Sequence, residues 1–446
     1  MQENILGREN VSTLFIKYSI PAIISMVITG MQTMIDGMFV GNILGPNAIA
    51  SINVANPFYQ IIIALSMITS IGSQSYMGLS LGEKDIEKTQ SIFKTTIIFI
   101  IIVGLIVTGV GLTFNNEIAI ILGASDILLN DVSTYVSTIS IFTIPMCLMF
   151  LFGFSGRIVE KPQLYFYGSI LSLLTNITLN YLLIYKFNLG VLGAATATGL
   201  SYSSALLVVI GPMLNKNNVI NVFSGKFSLK TLTPVLYNGA SEGINSLSAA
   251  LSAYLFNMAF MRMAGEIGIA AFTAISYVAQ FGTLLSFGVS DGIGPIVSYN
   301  YGAASYKRVK EVMKISYKTI LFMGVLIFTI LFFFGDSLSM VFVGNNKEIL
   351  EISSIGAKIY AFAFFMNGFN IVNSGYFTYI GYAKESVLIA ASRGLIFITV
   401  GIFVLPRIFD ANGVWLSIPF AELITFIIAY TLMRKSYSKM NSKISS

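Results

Sequence analysis

The chain has 446 residues, 55% of them hydrophobic and 10% charged, with a mean hydropathy of +0.80 and a net charge of +6. Soluble domains carry about 25% charged residues, so water cannot cover this surface and the composition excludes a soluble globular protein. The absence of histidine and the single cysteine, Cys147, exclude Ser-His triads, His-ligated zinc or haem, cysteine-cluster metal sites and an intrachain disulfide.

Residues 1–10 are polar and include Glu3, Arg8 and Glu9. They lack the short apolar core and small-residue cleavage site of a signal peptide, so the first helix is expected to direct insertion and to stay. A membrane-spanning helix needs about 20 predominantly apolar residues. On that measure the chain predicts helices near 14–40, 46–80, 91–114, 132–156, 163–186 and 190–214, then near 232–262, 267–302, 315–335, 352–382, 386–407 and 411–434. The stretch between the sixth and seventh, Asn215 to Lys230, is polar and reads as a linker at 215–231. An all-α integral membrane protein follows, with an N-terminal half at 1–214 and a C-terminal half at 232–446.

Loop charge sets the expected orientation. Nineteen Lys and Arg fall on one side, from Lys84 and Lys88 to the C-terminal Lys443. Four, Lys186, Arg262, Lys347 and Arg407, fall on the other. Cations collect in cytoplasmic loops, so both termini are expected in the cytoplasm of a plasma or inner membrane. This bias explains the net positive charge without nucleic acid as a partner. Arg157 reads as an anchor at the cytoplasmic surface.

The chain also repeats. A shift of 220 residues lays Gly45 on Gly265, Ile49 on Ile269, Ala50 on Ala270, Gly72 on Gly292 and Gly82 on Gly302. Six is an even number of helices, so the halves are parallel repeats, as in some transporters.

Polar residues inside spans are costly and mark candidate sites. Asp36 lies in the first helix, where an acid can take up and release a proton, or can serve as a hydrogen-bonded structural group. Asn176 and Asn180 stand four apart on one face of the fifth helix. They can bond Asp36, coordinate a cation through their carbonyl oxygens, or join helices. Thr198 is a further candidate on the sixth helix. In the second half Glu242 opens the seventh helix, and Asn367, Asn370 and Ser374 form a polar stripe on the tenth, expected to face a cleft. These four are candidate substrate-binding residues. Asp291 and Glu422 are further acids. Pro21, Pro57, Pro145, Pro295 and Pro419 interrupt spans and predict kinks. No GxxxxGK[ST] segment is present, and no enzymatic constellation emerges.

The segments LFIKYSIPAIISM and DGMFVGNILGPNAIASINVANP, SYNYGA at Ser298 to Ala303 and GVWLSIPFAE at Gly413 to Glu422 together resemble the multidrug and toxic compound extrusion (MATE) family, on its MepA-like and DinF-like bacterial branch. The resemblance runs over the whole chain. It implies a V-shaped molecule of two six-helix lobes that expels amphiphilic, often cationic compounds in exchange for protons or sodium ions. It carries ion coupling onto Asp36, Asn176, Asn180 and Thr198. The family's fifth-helix pair is usually Asn then Asp, so Asn180 departs from it. The acid that the sodium-coupled NorM-like branch has in helix ten falls on Asn367, again an amide. Both departures favour proton over sodium coupling through Asp36. The expectation is therefore a monomeric antiporter for small organic molecules, lying among membrane lipid, with no cofactor or bound metal beyond its coupling ion. The alternatives are a sodium-coupled multidrug exporter and a flippase for a lipid-linked precursor. The flippase would need several cleft cations to hold pyrophosphate, and Lys17, Lys358 and Arg393 are the few available.

Overall fold

A computed structural model describes residues 4–343 and 346–445. Among them every regular element is a helix. After a single turn, α1 (Ile5–Arg8), the first half runs α2 (Val11–Leu44), α3 (Pro46–Gly82), α4 (Ile86–Thr113) and the short α5 (Asn115–Ile121). It continues through α6 (Leu129–Ile141), α7 (Thr143–Gly156), α8 (Gln163–Lys186), α9 (Gly190–Val209) and α10 (Gly211–Leu214). The second half runs α11 (Leu229–Gly302), α12 (Tyr306–Val343), α13 (Lys347–Ala361), α14 (Phe364–Tyr379), α15 (Ala383–Val404) and α16 (Pro406–Ser445). Nine of these are long and apolar enough to cross a membrane, and α6/α7 and α13/α14 each make one further crossing, bent by 49° and 51°. The 74 residues of α11 are two helices broken at Gly265. Twelve spans result, at the positions the sequence predicts.

The 220-residue repeat is written into the backbone. Gly45 (φ 86°) and Gly265 (φ 61°) both leave the helical region and separate the first span of each half from its second. Lys84 (φ 63°) matches Ala304 (φ 54°), and Gly190 (φ 56°) matches Asp410 (φ 48°). Each pair is 220 apart. The bends also match: Phe142 separates α6 from α7, and its counterpart Phe362 opens the break between α13 and α14.

Local chemistry accounts for the boundaries. Gly45 takes the left-handed conformation without a Cβ penalty, and Pro46 fits the first turn of α3, where no intrahelical donor is needed. Asp85 caps α4 by accepting a hydrogen bond from Lys88 N at 2.9 Å.

Packing divides the chain into two units. One holds Met1–Glu9 and Ile24–Gly239, the other Asn10–Ile23 and Ala240–Ser446. The boundaries fall inside α2 and α11, whereas the sequence divides the chain at its polar linker. Within the first unit the opening of α11 crosses α3 so closely that a Cβ on Gly72 would stand 2.2 Å from the Val235 carbonyl oxygen, and one on Gly239 2.0 Å from that of Ile68. Within the second unit the opening of α2 crosses the later part of α11 in the same way. A Cβ on Gly288 would lie 2.4 Å from Ile23 Cα, and one on Gly292 2.4 Å from Ser19 Cα. Gly72 maps onto Gly292, Ile68 onto Gly288 and Ser19 onto Gly239, so the same crossing is built twice. Small residues allow such backbone approach where hydrophobic burial cannot drive association between helices in lipid.

Candidate functional site

In the first unit, three helices meet around Asp36. Its Oδ1 accepts hydrogen bonds from Asn176 Nδ2 at 2.8 Å and from Asn180 Nδ2 at 2.6 Å. Asn180 Nδ2 also reaches Asn176 Oδ1 at 3.2 Å. The fourfold spacing on α8 puts both amides on the face turned toward α2. Thr198 on α9 lies close enough to influence Asp36, and its hydroxyl donates to the Ala194 carbonyl at 3.1 Å. Both asparagines are buried, while Asp36 keeps partial exposure. Asn180 Oδ1 is buried without a hydrogen-bond partner.

One helical turn before Asp36, Gln32 repeats the same three-helix connection. Its Nε2 donates to Ser201 Oγ on α9 at 3.1 Å, and its Oε1 accepts from Ser172 Oγ on α8 at 3.2 Å. Ser172, Asn176 and Asn180 lie at intervals of four, as do Gln32 and Asp36, so two adjacent layers fix α2 against α8 and α9. The Gln32 layer is absent from the sequence reading. Its only signal is the fourfold spacing, and serine is common in membrane helices.

In the second unit the polar stripe on α14 is buried, and two of its amides bond one carboxylate. Asn367 Nδ2 donates to Glu422 Oε1 at 2.8 Å, and Asn370 Nδ2 to Glu422 Oε2 at 2.7 Å and to its carbonyl oxygen at 2.8 Å. Arg393, in the π-helical turn Ser392–Ile396 of α15, completes the group with an ion pair to Glu422 Oε1 at 3.0 Å. In the sequence Glu422 is one of two further acids and Arg393 one of three cations available to a cleft, with nothing to join them. Their association requires α15 and α16 to be packed. Ser374 belongs elsewhere: it shares a hydroxyl cluster with Thr378 and Ser386, which Ser241 joins through Thr378. Glu242 accepts from Asn245 at 3.4 Å and lies within electrostatic reach of Asp291 and Arg393.

Arg157 departs from its expected place at the surface. It is 1% exposed, with its guanidinium 4.5 Å from the centre of the Phe154 ring and 5.6 Å from that of Tyr165. The bend after α7 folds it inward, where aromatic faces and further partners receive the charge.

The MatE family model matches residues 21–182 and 244–403, one match in each half. The chain belongs to the MATE family. Among curated relatives, the multidrug export protein MepA of Staphylococcus aureus (strain bovine RF122 / ET3-1) is 26% identical over 421 residues, which cover 93% of this chain and 92% of that protein. MepA of Staphylococcus haemolyticus (strain JCSC1435) is 25% identical over 414 residues, covering 92% and 91%. Two solved structures share the fold: MATE in complex with MaL6 (TM-score 0.92, 19% identity, 99% of this chain and 100% of that one), and an outward-facing multidrug resistance MATE family transporter of the MOP superfamily (TM-score 0.91, 19% identity, 99% of each). This MATE-family chain is thus a multi-pass membrane protein with two six-helix repeats.

Proposed function

We propose that this protein exports amphiphilic, often cationic small molecules across the plasma membrane in exchange for protons taken up at Asp36, working as a monomer with no cofactor other than its coupling ion. Family membership supports transport. MepA relatives in two staphylococcal species, named as multidrug export proteins, support the substrate class. The loop-charge bias supports cytoplasmic termini. The observation that carries the coupling assignment is the Asp36 cluster. Asp36 Oδ1 is held by two amides, the residue retains an exposed side, and neither ion pair found among the described residues includes it. A protonated carboxyl gains a donor, and Asn180 Oδ1 is a buried acceptor lacking one. Proton uptake therefore exchanges the hydrogen bonds joining α2 to α8. Coupling follows if the two arrangements favour different facing states, because a ligand shifts an equilibrium only through differential affinity.

The same Asn180 oxygen favours sodium as the second reading, since a cation can also be held by carboxylate and amide oxygens. Purified protein in liposomes containing a fluorescent cationic dye separates the two. A pH gradient should drive dye movement, and Asp36→Asn should abolish it. Movement under a sodium gradient alone would transfer the coupling to sodium. Undiminished pH-driven movement in the variant would overturn the assignment to Asp36.

A further inference from the structure

On the second unit, α12, α14 and α16 line an open groove of about 540 Å³, bordered by Lys310, Lys314, Lys318, Leu321, Phe369 and Tyr437. Its two ends differ in chemistry. The three lysines are spaced by four, so they stand on one face of α12 near its start. Lys314 and Lys318 are exposed, and Lys310 is bonded to Asn441. The ion pairs Lys88–Glu83 and Arg393–Glu422 lie elsewhere. Beyond Lys318 the helix runs uncharged from Thr319 to Gly335. Here Leu321 and an aromatic row form the wall. The row places Tyr317 5.6 Å from Phe369, and Phe369 5.7 Å from Phe426, between ring centres. Tyr317 is fixed through its hydroxyl to Asn373 Oδ1 at 2.6 Å. A cationic lip thus continues into an apolar trough along a membrane-spanning helix.

The repeat shows why the trough is open. A shift of 220 places Lys310 on Gln90 and Lys314 on Lys94, on the matching face of α4 in the first unit. There the linker after α10 folds back and covers that face. Gln90 Nε2 donates to the Val219 carbonyl at 2.9 Å, Lys94 Nζ to that of Val222 at 2.7 Å and Ser91 Oγ to that of Lys226 at 2.8 Å. In the second unit α16 continues as helix through Ser445, and no such fold-back covers α12 among the described residues. The linker supplies peptide carbonyl oxygens to the basic end of the α4 face. The uncovered α12 face has more cationic charge and asks for an acceptor of full negative charge.

We propose that this trough binds an anionic phospholipid, with the headgroup phosphate on Lys314 and Lys318 and an acyl chain along Leu321 and Phe369. Basic pockets between membrane helices, close to the headgroup region, select such lipids. A soluble anion would use the lysines alone and gain nothing from the apolar wall. The inference does not rest on the export reading, and its test needs no transport.

The test is native mass spectrometry of the full-length protein in detergent, titrated separately with phosphatidylglycerol, phosphatidylcholine and inorganic phosphate. One phosphatidylglycerol should be retained in preference to phosphatidylcholine. Lys314→Gln/Lys318→Gln should weaken its binding about tenfold, given the attraction of each lysine for an anionic headgroup. Phe369→Ala should also weaken it, while Lys84→Gln/Lys88→Gln, in a loop of mixed charge elsewhere, should leave it unchanged. Equal retention by wild type and the α12 double variant would overturn the proposal. So would inorganic phosphate that displaces the lipid completely, combined with indifference to Phe369→Ala, which would mark a free-anion site. Because dye export is read separately, lipid retention lost with export intact would leave the coupling assignment standing.

Discussion

The two repeats each place a carboxylate beneath a pair of asparagine amides, and they differ in what else reaches it. Asp36 has amides on one oxygen and partial exposure, and neither ion pair among the described residues reaches it. Glu422 is 5% exposed, has amides on both oxygens and carries the Arg393 guanidinium at 3.0 Å. A fixed cation holds its partner in place, because separating a buried pair leaves an uncompensated charge in low dielectric. A carboxylate supported only by neutral amides can change protonation state without stranding a charge. The second cluster therefore ties α14, α15 and α16 together, whereas the first is the one that changes under the proposed function. The positions support the distinction. Asp36 sits on α2, which is shared between the two packing units, whereas Glu422, Arg393 and the α14 asparagines all belong to one unit.

The same chemical substitution, acid to amide, should then have opposite consequences at the two sites. Glu422→Gln strands Arg393 and should cost about 3–5 kcal/mol, measurable as a large drop in thermal midpoint in detergent. Adding Arg393→Met should recover much of that loss. Asp36→Asn strands no cation and should cost about 1 kcal/mol or less, the worth of rearranged neutral hydrogen bonds, while removing gradient-driven export. Equal destabilisation at both sites would remove Arg393 as the distinguishing element.

The helix crossings allow a comparison in which the halves should agree. Gly72→Ala forces a Cβ against the Val235 carbonyl, and Gly292→Ala forces one against Ser19 Cα. Each should cost about 1–3 kcal/mol by overpacking. A loss confined to one variant would show that only one crossing bears on stability. A smaller effect is expected at Gln32→Leu. It removes the layer next to Asp36 and leaves Ser172 and Ser201 one partner short, a loss of about 1 kcal/mol, again read from the thermal midpoint.

How much of this is legible beforehand depends on distance in the chain. Asp36, Asn176 and Asn180 stand out because polar groups are rare in spans and because the fourfold spacing on one helix can be read directly. Their mutual bonding is an expectation that the geometry meets. The twelve spans and the 220-residue shift are equally open to inspection, since both rest on composition and local pattern. Glu422 and Arg393 are not, because 29 residues and a change of helix separate them and nothing local marks them as partners. The bonding of Asn367 and Asn370 to Glu422 is hidden for the same reason. Arg157 misleads because a cation at the end of a span usually snorkels to the surface, and the turn that buries it against Tyr165 is a tertiary feature. The unit boundaries inside α2 and α11 are likewise silent, since apolar helices carry no mark of which neighbours they join. The polar linker is legible as a linker, but not as the cover of α4.

The smallest effect tests the repeat where side chains contribute least. The helix ending at Gly82 closes with Asp85 N donating to the Ser80 carbonyl at 2.8 Å, and the helix ending at Gly302 with Ser305 N donating to the Asn300 carbonyl at 2.8 Å. Both closures require a left-handed residue, usually glycine, at the position after the C-cap. Here that position holds Lys84 and Ala304. A Cβ in this region costs roughly 1–2 kcal/mol, and glycine returns part of the difference through its unfolded-state entropy, so Lys84→Gly and Ala304→Gly should each raise stability by about 0.5–1 kcal/mol. The two gains should match, because the strain lies in a backbone turn common to both halves. A gain at Ala304 without one at Lys84 would assign the difference to the lysine charge among the acids Glu83, Asp85 and Glu87. The shared turn would then be a scaffold that each half has fitted to its own surroundings, as the two carboxylate clusters already are.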